Sequence, residues 1–131
     1  MNFKSPNFWI IAVGLLHVGI MAVELLPPKE PYVMTEVLKT PKWHNPEIEF
    51  TERQHELVVT IVHNVAIYNG IVAVGLIAST LIPAGARPVQ IALLLGVVVA
   101  GVVGGWTLAP VTYYQAGAAL IPLVILFWPK S

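Results

Sequence analysis

The stretch that decides the fold is residues 89–108, VQIALLLGVVVAGVVGGWTL, the most apolar part of the chain. It carries no charged side chain, and a helix needs about 20 apolar residues to cross a hydrocarbon core of about 30 Å. Three further apolar stretches lie at residues 8–26, 57–83 and 114–128. The sequence therefore predicts an all-α integral membrane protein, a single domain spanning residues 1–131 and built as a bundle of four transmembrane helices.

The composition agrees with a membrane protein and excludes several other classes. Hydrophobic residues make up 56% of the 131 residues and charged residues 11%, whereas soluble domains carry about 25% charged residues. Basic and acidic residues balance to a formal net charge of zero, which excludes a basic nucleic-acid-binding protein. The chain has no cysteine, so disulfides and cysteine-ligated iron–sulfur or zinc sites are excluded as well.

The segments that join the spans set the topology. The first span ends in two leucines and two prolines rather than in a small-residue cleavage site, so we expect a retained helix and not a signal peptide. Residues 27–56 form the sizeable aqueous loop, and its end, 47–56, has a helical pattern that predicts a lead-in to the second span. The fourth span is short, so we expect it to start earlier or to thin the bilayer locally. Three residues predict a tight hairpin before the third span: Pro83, Gly85 and Pro88.

The basic residues near the span ends favour one orientation by a difference of a single charge. An even number of spans places both termini on one side of the membrane together with Arg87. That side holds Lys4, Arg87 and Lys130, and the other holds Lys29 and Arg53. The positive-inside rule then favours cytoplasmic termini. Aromatic residues at the span ends predict an interfacial belt: Trp9, Trp106, Tyr113, Tyr114 and Trp128.

Two polar residues interrupt the first span. His17 and Glu24 are seven residues apart, two helical turns, so both side chains point to one face about 10 Å apart along the axis. A glutamate deep in the membrane costs about 2.5 kcal/mol or more and needs a partner or water. Two interpretations stay open. Glu24 caps the bundle at the interface, or it shares a functional polar face with His17.

Polar residues concentrate in the first half of the second span. Thr60, His63, Asn64 and Tyr68 fall within an arc of about 140°, and we expect this arc to face inward because it is costly against lipid. Asn69 lies about 120° from His63, at the edge of the interior or against a neighbouring helix. Each residue alone is typical of an interhelical hydrogen bond worth about 0.6 kcal/mol. As a set with the polar pair of the first span, they predict a polar pocket within the bilayer.

The third and fourth spans add small and polar residues. Thr107 and Gln115 lie where they can reach the same pocket from its opposite mouth, or make interfacial hydrogen bonds. Rows of small residues on the third span predict close helix packing, or a homo-oligomer contact through that span. One row holds Gly96, Ala100 and Gly104, and the other holds Gly101 and Gly105.

The polar residues, taken in order, resemble a known family. They are His17 and Glu24, then Asn64 with Tyr68-Asn69-Gly70, then a late Ala-Gly, Thr107 and Gln115. The order and spacing resemble a family of small four-helix bacterial membrane proteins known only as a domain of unknown function. The resemblance covers all four spans and implies a bacterial inner-membrane location. It implies no activity.

A narrower resemblance concerns the second span. His63, followed six residues later by Asn69 and Gly70, is similar to the second helix of styrene oxide isomerase, another small four-helix membrane protein. In that enzyme the histidine binds ferric haem b and the asparagine lies by the substrate epoxide. The resemblance implies that His63 is a haem ligand and that Asn69 orients an epoxide. It also implies a tyrosine on a later helix, for which Tyr113 and Tyr114 are candidates.

Three functions follow from these observations. The first is a haem-b-dependent epoxide isomerase for a small lipophilic substrate, in which iron polarises the C–O bond and apolar walls exclude water. The second is a haem-free enzyme in which Glu24, His17 and Asn69 perform acid–base work on an epoxide-like molecule, with Tyr68 as a further catalytic candidate. The third is non-enzymatic, an accessory subunit or a small-molecule-binding protein. The expected partners are the small lipophilic molecule, membrane lipid and a second copy of the chain.

Overall fold

The fold consists of helices long and apolar enough to cross a membrane. The computed structural model describes residues 5–26, 51–82 and 84–128. Within these ranges four candidate membrane spans are found. Their helices are α1 (Pro6–Leu25), α2 (Glu52–Ser79), α3 (Ala86–Thr107) and α4 (Tyr113–Phe127), the last preceded by a 3₁₀ turn at Pro110–Thr112. The predicted class, an all-α membrane protein with four spanning helices, is confirmed, while residues 27–50 of the predicted loop lie outside the described residues.

Helix α2 begins earlier than the apolar pattern indicates. Gln54 N lies 3.3 Å from Thr51 Oγ1, and Thr51 N donates a hydrogen bond of 2.9 Å to Gln54 Oε1. This reciprocal capping box satisfies backbone donors at the helix start, so the helix begins at Glu52 rather than at residue 57. Its 28 residues correspond to about 42 Å, more than the hydrocarbon thickness of about 30 Å. This length leaves room for the charged first turns outside the apolar layer, and residues 47–50 of the predicted lead-in lie outside the described residues.

Helices α3 and α4 also begin before the predicted spans. Gly85 has φ 82°, a left-handed conformation that favours glycine, and α3 follows directly at Ala86. Pro88 is predicted to belong to the hairpin, but it lies in the first turn of α3. A missing backbone N–H costs no helical hydrogen bond there, so the proline does not interrupt the helix. The fourth candidate span begins at Pro110. Of the two alternatives for the short fourth span, an earlier start or a locally thinner bilayer, the structure shows the earlier start.

The chain divides into two compact units. The larger comprises residues 1–17 and 72–131, and the smaller comprises residues 18–71. In the larger unit all four helices contribute to one buried apolar cluster. Its members are Ile10 and Val13 from α1, Leu76 from α2, Leu94 and Val97 from α3, and Ala119 and Leu123 from α4.

Close packing of α3 against α4 depends on Gly101. A Cβ atom at this position would lie 2.7 Å from Ala116 N and 2.9 Å from Thr112 O, both backbone atoms, so only glycine fits. The Thr112 hydroxyl is 3.1 Å from the Gly101 carbonyl oxygen and strengthens the same contact. The packing role predicted for the second glycine row is thus present at Gly101. Gly96 has open space beside it, so a second copy of the chain at this row stays a prediction.

Polar contacts join the helix ends of the larger unit. Gln90 Nε2 lies 3.3 Å from Ser79 O, and both residues are buried. Arg87 Nη2 donates a hydrogen bond of 2.6 Å to Leu126 O in the last turn of α4. A cation at a helix C-terminus is stabilised by the helix dipole and by the unpaired carbonyls. These bonds fix the ends of α2, α3 and α4, and sequence analysis did not single out Ser79, Gln90 or Leu126.

Candidate functional site

The main polar contact of the smaller unit joins α1 to α2. Asn69 Nδ2 donates a hydrogen bond of 2.8 Å to Glu24 Oε2. Glu24 is buried, with 6% of its surface exposed, and Asn69 is half-buried. The bond uses one carboxyl oxygen and one amide hydrogen, which leaves Glu24 Oε1 and Asn69 Oδ1 for other partners. This pair is the candidate functional site.

The residues around the pair explain why the two side chains meet. A Cβ atom on Gly70 would lie 2.6 Å from Met21 Sδ, so glycine allows α1 and α2 to approach closely here. Met21 and Glu24 are three residues apart and therefore lie on one side of α1. Ala66, one turn before Gly70, is fully buried. The Asn69-Gly70 dipeptide thus supplies both the hydrogen-bond donor and the space for the second helix.

His63 carries an unsatisfied ring nitrogen. Its Nε2 is fully enclosed and has no hydrogen-bond partner, the one such side-chain atom within the described ranges. His63 precedes Gly70 by seven residues, two turns, so it lies on the side of α2 that faces α1. Leaving a buried polar group unpaired costs about 1–3 kcal/mol. A nitrogen kept at that cost is a candidate contact for a ligand.

The expectation that the polar arc of α2 faces inward is wrong for three of its residues. Thr60, Asn64 and Tyr68 are exposed. The face of α2 that contacts α1 is instead formed by Ala66, Asn69 and Gly70, roughly opposite these three residues, and His63, the fourth member of the arc, lies beside Gly70. Small side chains permit closer helix contact than larger polar ones, and this decides which face turns inward. The Thr60 hydroxyl is satisfied locally by a hydrogen bond of 2.9 Å to the Glu56 carbonyl.

Asn69 lies against a neighbouring helix, the second of the two positions expected for it. The structure brings it to Glu24 and does not bring Thr60, Asn64 or Tyr68 there. Periodicity along a single helix could not show this, because the pairing depends on the register between α1 and α2. The signal that could have found it is the glycine that directly follows Asn69.

The remaining candidate residues belong to the larger unit. His17 is buried, and its Nδ1 donates a hydrogen bond of 2.9 Å to the Val13 carbonyl one turn earlier. A carbonyl oxygen only accepts, so Nδ1 carries a proton and Nε2 is the ring nitrogen that remains for another partner. Thr107 is exposed and its hydroxyl lies 2.7 Å from Val103 O, whereas Gln115 is half-buried.

The later tyrosines lie at the start of α4. Tyr113 and Tyr114 are both exposed. A Cβ atom on Gly105 would clash with the Tyr113 ring, so this ring packs on the end of α3. The exposed rings of Tyr114, Trp106 and Trp128 lie at helix ends, where an interfacial belt would place them.

The four spanning helices and the buried carboxyl–amide pair define an integral membrane protein with a polar contact between its first two helices. The family described as "Protein of unknown function (DUF1304)" matches residues 11–127, and the chain belongs to that family. No curated protein and no solved structure matches the chain. The resemblance to a family of unknown function is confirmed, while the resemblance to styrene oxide isomerase stays a prediction.

Proposed function

We propose that this protein is a membrane enzyme that acts on a small lipophilic molecule, with Glu24 as the acid–base group and Asn69 as the residue that positions it. The observation that carries the proposal is the 2.8 Å hydrogen bond between Asn69 Nδ2 and Glu24 Oε2. A carboxyl group within a membrane helix costs about 2.5 kcal/mol or more. A neutral amide would pack the helices at lower cost, but only the carboxyl can transfer a proton.

Glu24 lies in the last turn of α1, which ends at Leu25. The alternative, that Glu24 caps the bundle at the membrane interface without a catalytic role, is the outcome that unchanged turnover in Glu24→Gln would favour.

The chemistry that suits one buried carboxyl group is the isomerisation of an epoxide. The acid form of Glu24 gives its proton to the epoxide oxygen while one C–O bond breaks and its electron pair stays on oxygen. A hydrogen then migrates with its electron pair from the oxygen-bearing carbon to the cationic carbon. The protonated carbonyl product returns its proton to the carboxylate. Apolar surroundings keep water away from the cation, and no other reactant is consumed.

The test is turnover of lipophilic epoxides by the purified protein, with styrene oxide as the first probe and the carbonyl compound as the measured product. Glu24→Gln keeps the size of the side chain and removes the transferable proton, so we expect activity to be lost. Glu52→Gln is the matched control, because Glu52 is exposed in the first turn of α2. Unchanged turnover in Glu24→Gln would contradict the proposal, and no turnover by the wild type would favour a non-enzymatic binding protein or accessory subunit.

A second candidate function, a haem-b-dependent epoxide isomerase, is favoured by His63. Its enclosed Nε2 has no partner and is chemically suited to hold iron. No group of three or more potential metal ligands is found within residues 5–26, 51–82 and 84–128, but haem iron needs only one histidine because the macrocycle supplies the other ligands. When bound, haem would supply a Lewis acid for the epoxide oxygen. Since Nε2 is enclosed, neighbouring side chains must move to admit the group.

For the location, we propose the bacterial inner membrane with both termini in the cytoplasm. The support is the excess of one basic residue near the span ends on that side. Arg87, which contributes to this excess, is exposed in the first turn of α3.

A further inference from the structure

An open groove lies on the outer surface of the larger unit. Its volume is about 320 Å³. It is formed by α3, α4 and the residue that ends α4, and its lining consists of apolar and aromatic side chains. The lining residues are Leu95, Leu123, Val124, Phe127 and Trp128.

A fixed cation lies beside this groove. The Arg87 guanidinium carbon is 6.0 Å from the centroid of the Phe127 ring, and Phe127 also lines the groove. Its Nη2 donates a hydrogen bond of 2.6 Å to Leu126 O, which holds the side chain at the end of α4. A guanidinium has five N–H donors, so four remain for another partner. Arg87 is exposed, and an anion can therefore reach these donors.

We propose that Arg87 and the groove together bind one anionic phospholipid, with the phosphate at the guanidinium and an acyl chain along the groove. From Arg87 to Leu95 is eight residues, so this surface extends about 12 Å along the axis of α3. That axis runs in the direction an acyl chain takes in a bilayer. Arginine recognises phosphate through paired N–H donors, and Trp128 lies at the end of α4, at the headgroup level where tryptophan is enriched.

A phospholipid is the occupant that satisfies both parts of the surface. An apolar chain alone would cover the groove and leave the guanidinium without an anion. A free phosphate would pair with Arg87 and leave the apolar lining uncovered. In an anionic lipid the phosphate and the chain are covalently joined, so one molecule occupies both parts, and its phosphate has no choline cation to compete with Arg87.

Trp128 makes the proposal measurable. In a variant that keeps Trp128 and replaces Trp9, Trp43 and Trp106 by phenylalanine, fluorescence reports on the groove. The protein is reconstituted in phosphatidylcholine, and a brominated lipid is added in increasing fractions. In one series this lipid is brominated phosphatidylglycerol, and in the other it is brominated phosphatidylcholine. Bromine on the acyl chains quenches the fluorescence of nearby tryptophan. One basic side chain near the membrane surface corresponds to about a fivefold preference, so brominated phosphatidylglycerol should quench at about fivefold lower mole fraction.

Variants of Arg87 decide the result. Arg87→Gln should remove the preference, while Arg87→Lys should keep part of it, because the charge remains but the paired N–H donors are lost. Arg53→Gln, at the exposed start of α2, is the control and should leave it unchanged. Equal quenching by both lipids, or a preference that survives in Arg87→Gln, would overturn the proposal. Absence of quenching by either lipid would show that protein covers the groove, which would overturn it as well.

Discussion

Asn69 Nδ2 and Glu24 Oε2 lie 2.8 Å apart although the residues are separated by 45 positions in the chain. The bond connects the last turn of α1 to the interior of α2, next to the close approach of Gly70 and Met21. The carboxyl is buried and this hydrogen bond uses one of its two oxygens, so the contact joins the two helices and leaves Glu24 Oε1 for another partner.

The packing of α1 on α2 at Gly70 predicts an engineered cross-link. The chain has no native cysteine, so the double variant Met21→Cys with Gly70→Cys contains the only thiols. A Cβ atom at Gly70 would lie 3.7 Å from Met21 Cγ and more than 4 Å from Met21 Cβ, and disulfides join Cβ atoms about 3.5–4.5 Å apart, so a small shift brings the two thiols into bonding range. We expect mild oxidation to remove both free thiols, counted by alkylation and mass spectrometry. Met21→Cys with Tyr68→Cys is the control, and cross-linking there instead would mean that a different face of α2 meets α1.

The glycines of α3 are predicted to differ sharply in tolerance. Gly101→Ala places a methyl group against the backbone of Ala116, and overpacking of this kind costs about 1–3 kcal/mol. Gly96→Ala meets open space and should be neutral or slightly stabilising, since alanine is the better helix former by about 1 kcal/mol. The thermal unfolding midpoints of the two variants in detergent provide the measurement. Equal midpoints would argue against the α3–α4 contact described here.

The haem candidate predicts a visible spectrum. If haem b is held by His63, protein purified from cells supplied with haem should show a Soret band that His63→Ala abolishes. His55→Ala, two turns earlier in the same helix, should leave the band unchanged. His17→Ala is the informative third variant, because the Nδ1 of His17 is used in the bond to Val13 O and its Nε2 is the nitrogen left for a ligand. A colourless wild-type protein, or a band that persists in His63→Ala, removes His63 as the haem ligand.

The spanning helices could be predicted from hydropathy because membrane insertion depends on length and apolar content, which a sequence displays directly. The helix starts required local chemistry. The Thr51–Gln54 capping box is visible in the sequence and places the start of α2 at Glu52, whereas the apolar run alone placed it at residue 57. The physical reason is that a helix begins where its first backbone N–H groups find partners, and this position need not coincide with the start of the apolar segment.

Which polar residues of α2 turn toward α1 could not be predicted from the pattern of α2 alone. Asn69 pairs with Glu24, but Tyr68, its neighbour in sequence, is exposed. Periodicity groups side chains by face, and it does not say which face a neighbouring helix selects. Here the selection follows Ala66 and Gly70, whose small side chains permit close contact.

The most direct test of the account is a double-mutant cycle on the Glu24–Asn69 pair, measured as the free energy of unfolding in detergent. Glu24→Ala, Asn69→Ala and the double variant should give a coupling energy of about 0.5–3 kcal/mol. Asn64, exposed on the opposite face of α2, supplies the control, and Glu24→Ala with Asn64→Ala should be additive within about 0.5 kcal/mol. Coupling in the first cycle and additivity in the second is the predicted result. Additivity in both would mean that Glu24 and Asn69 do not interact, and would contradict the site described here.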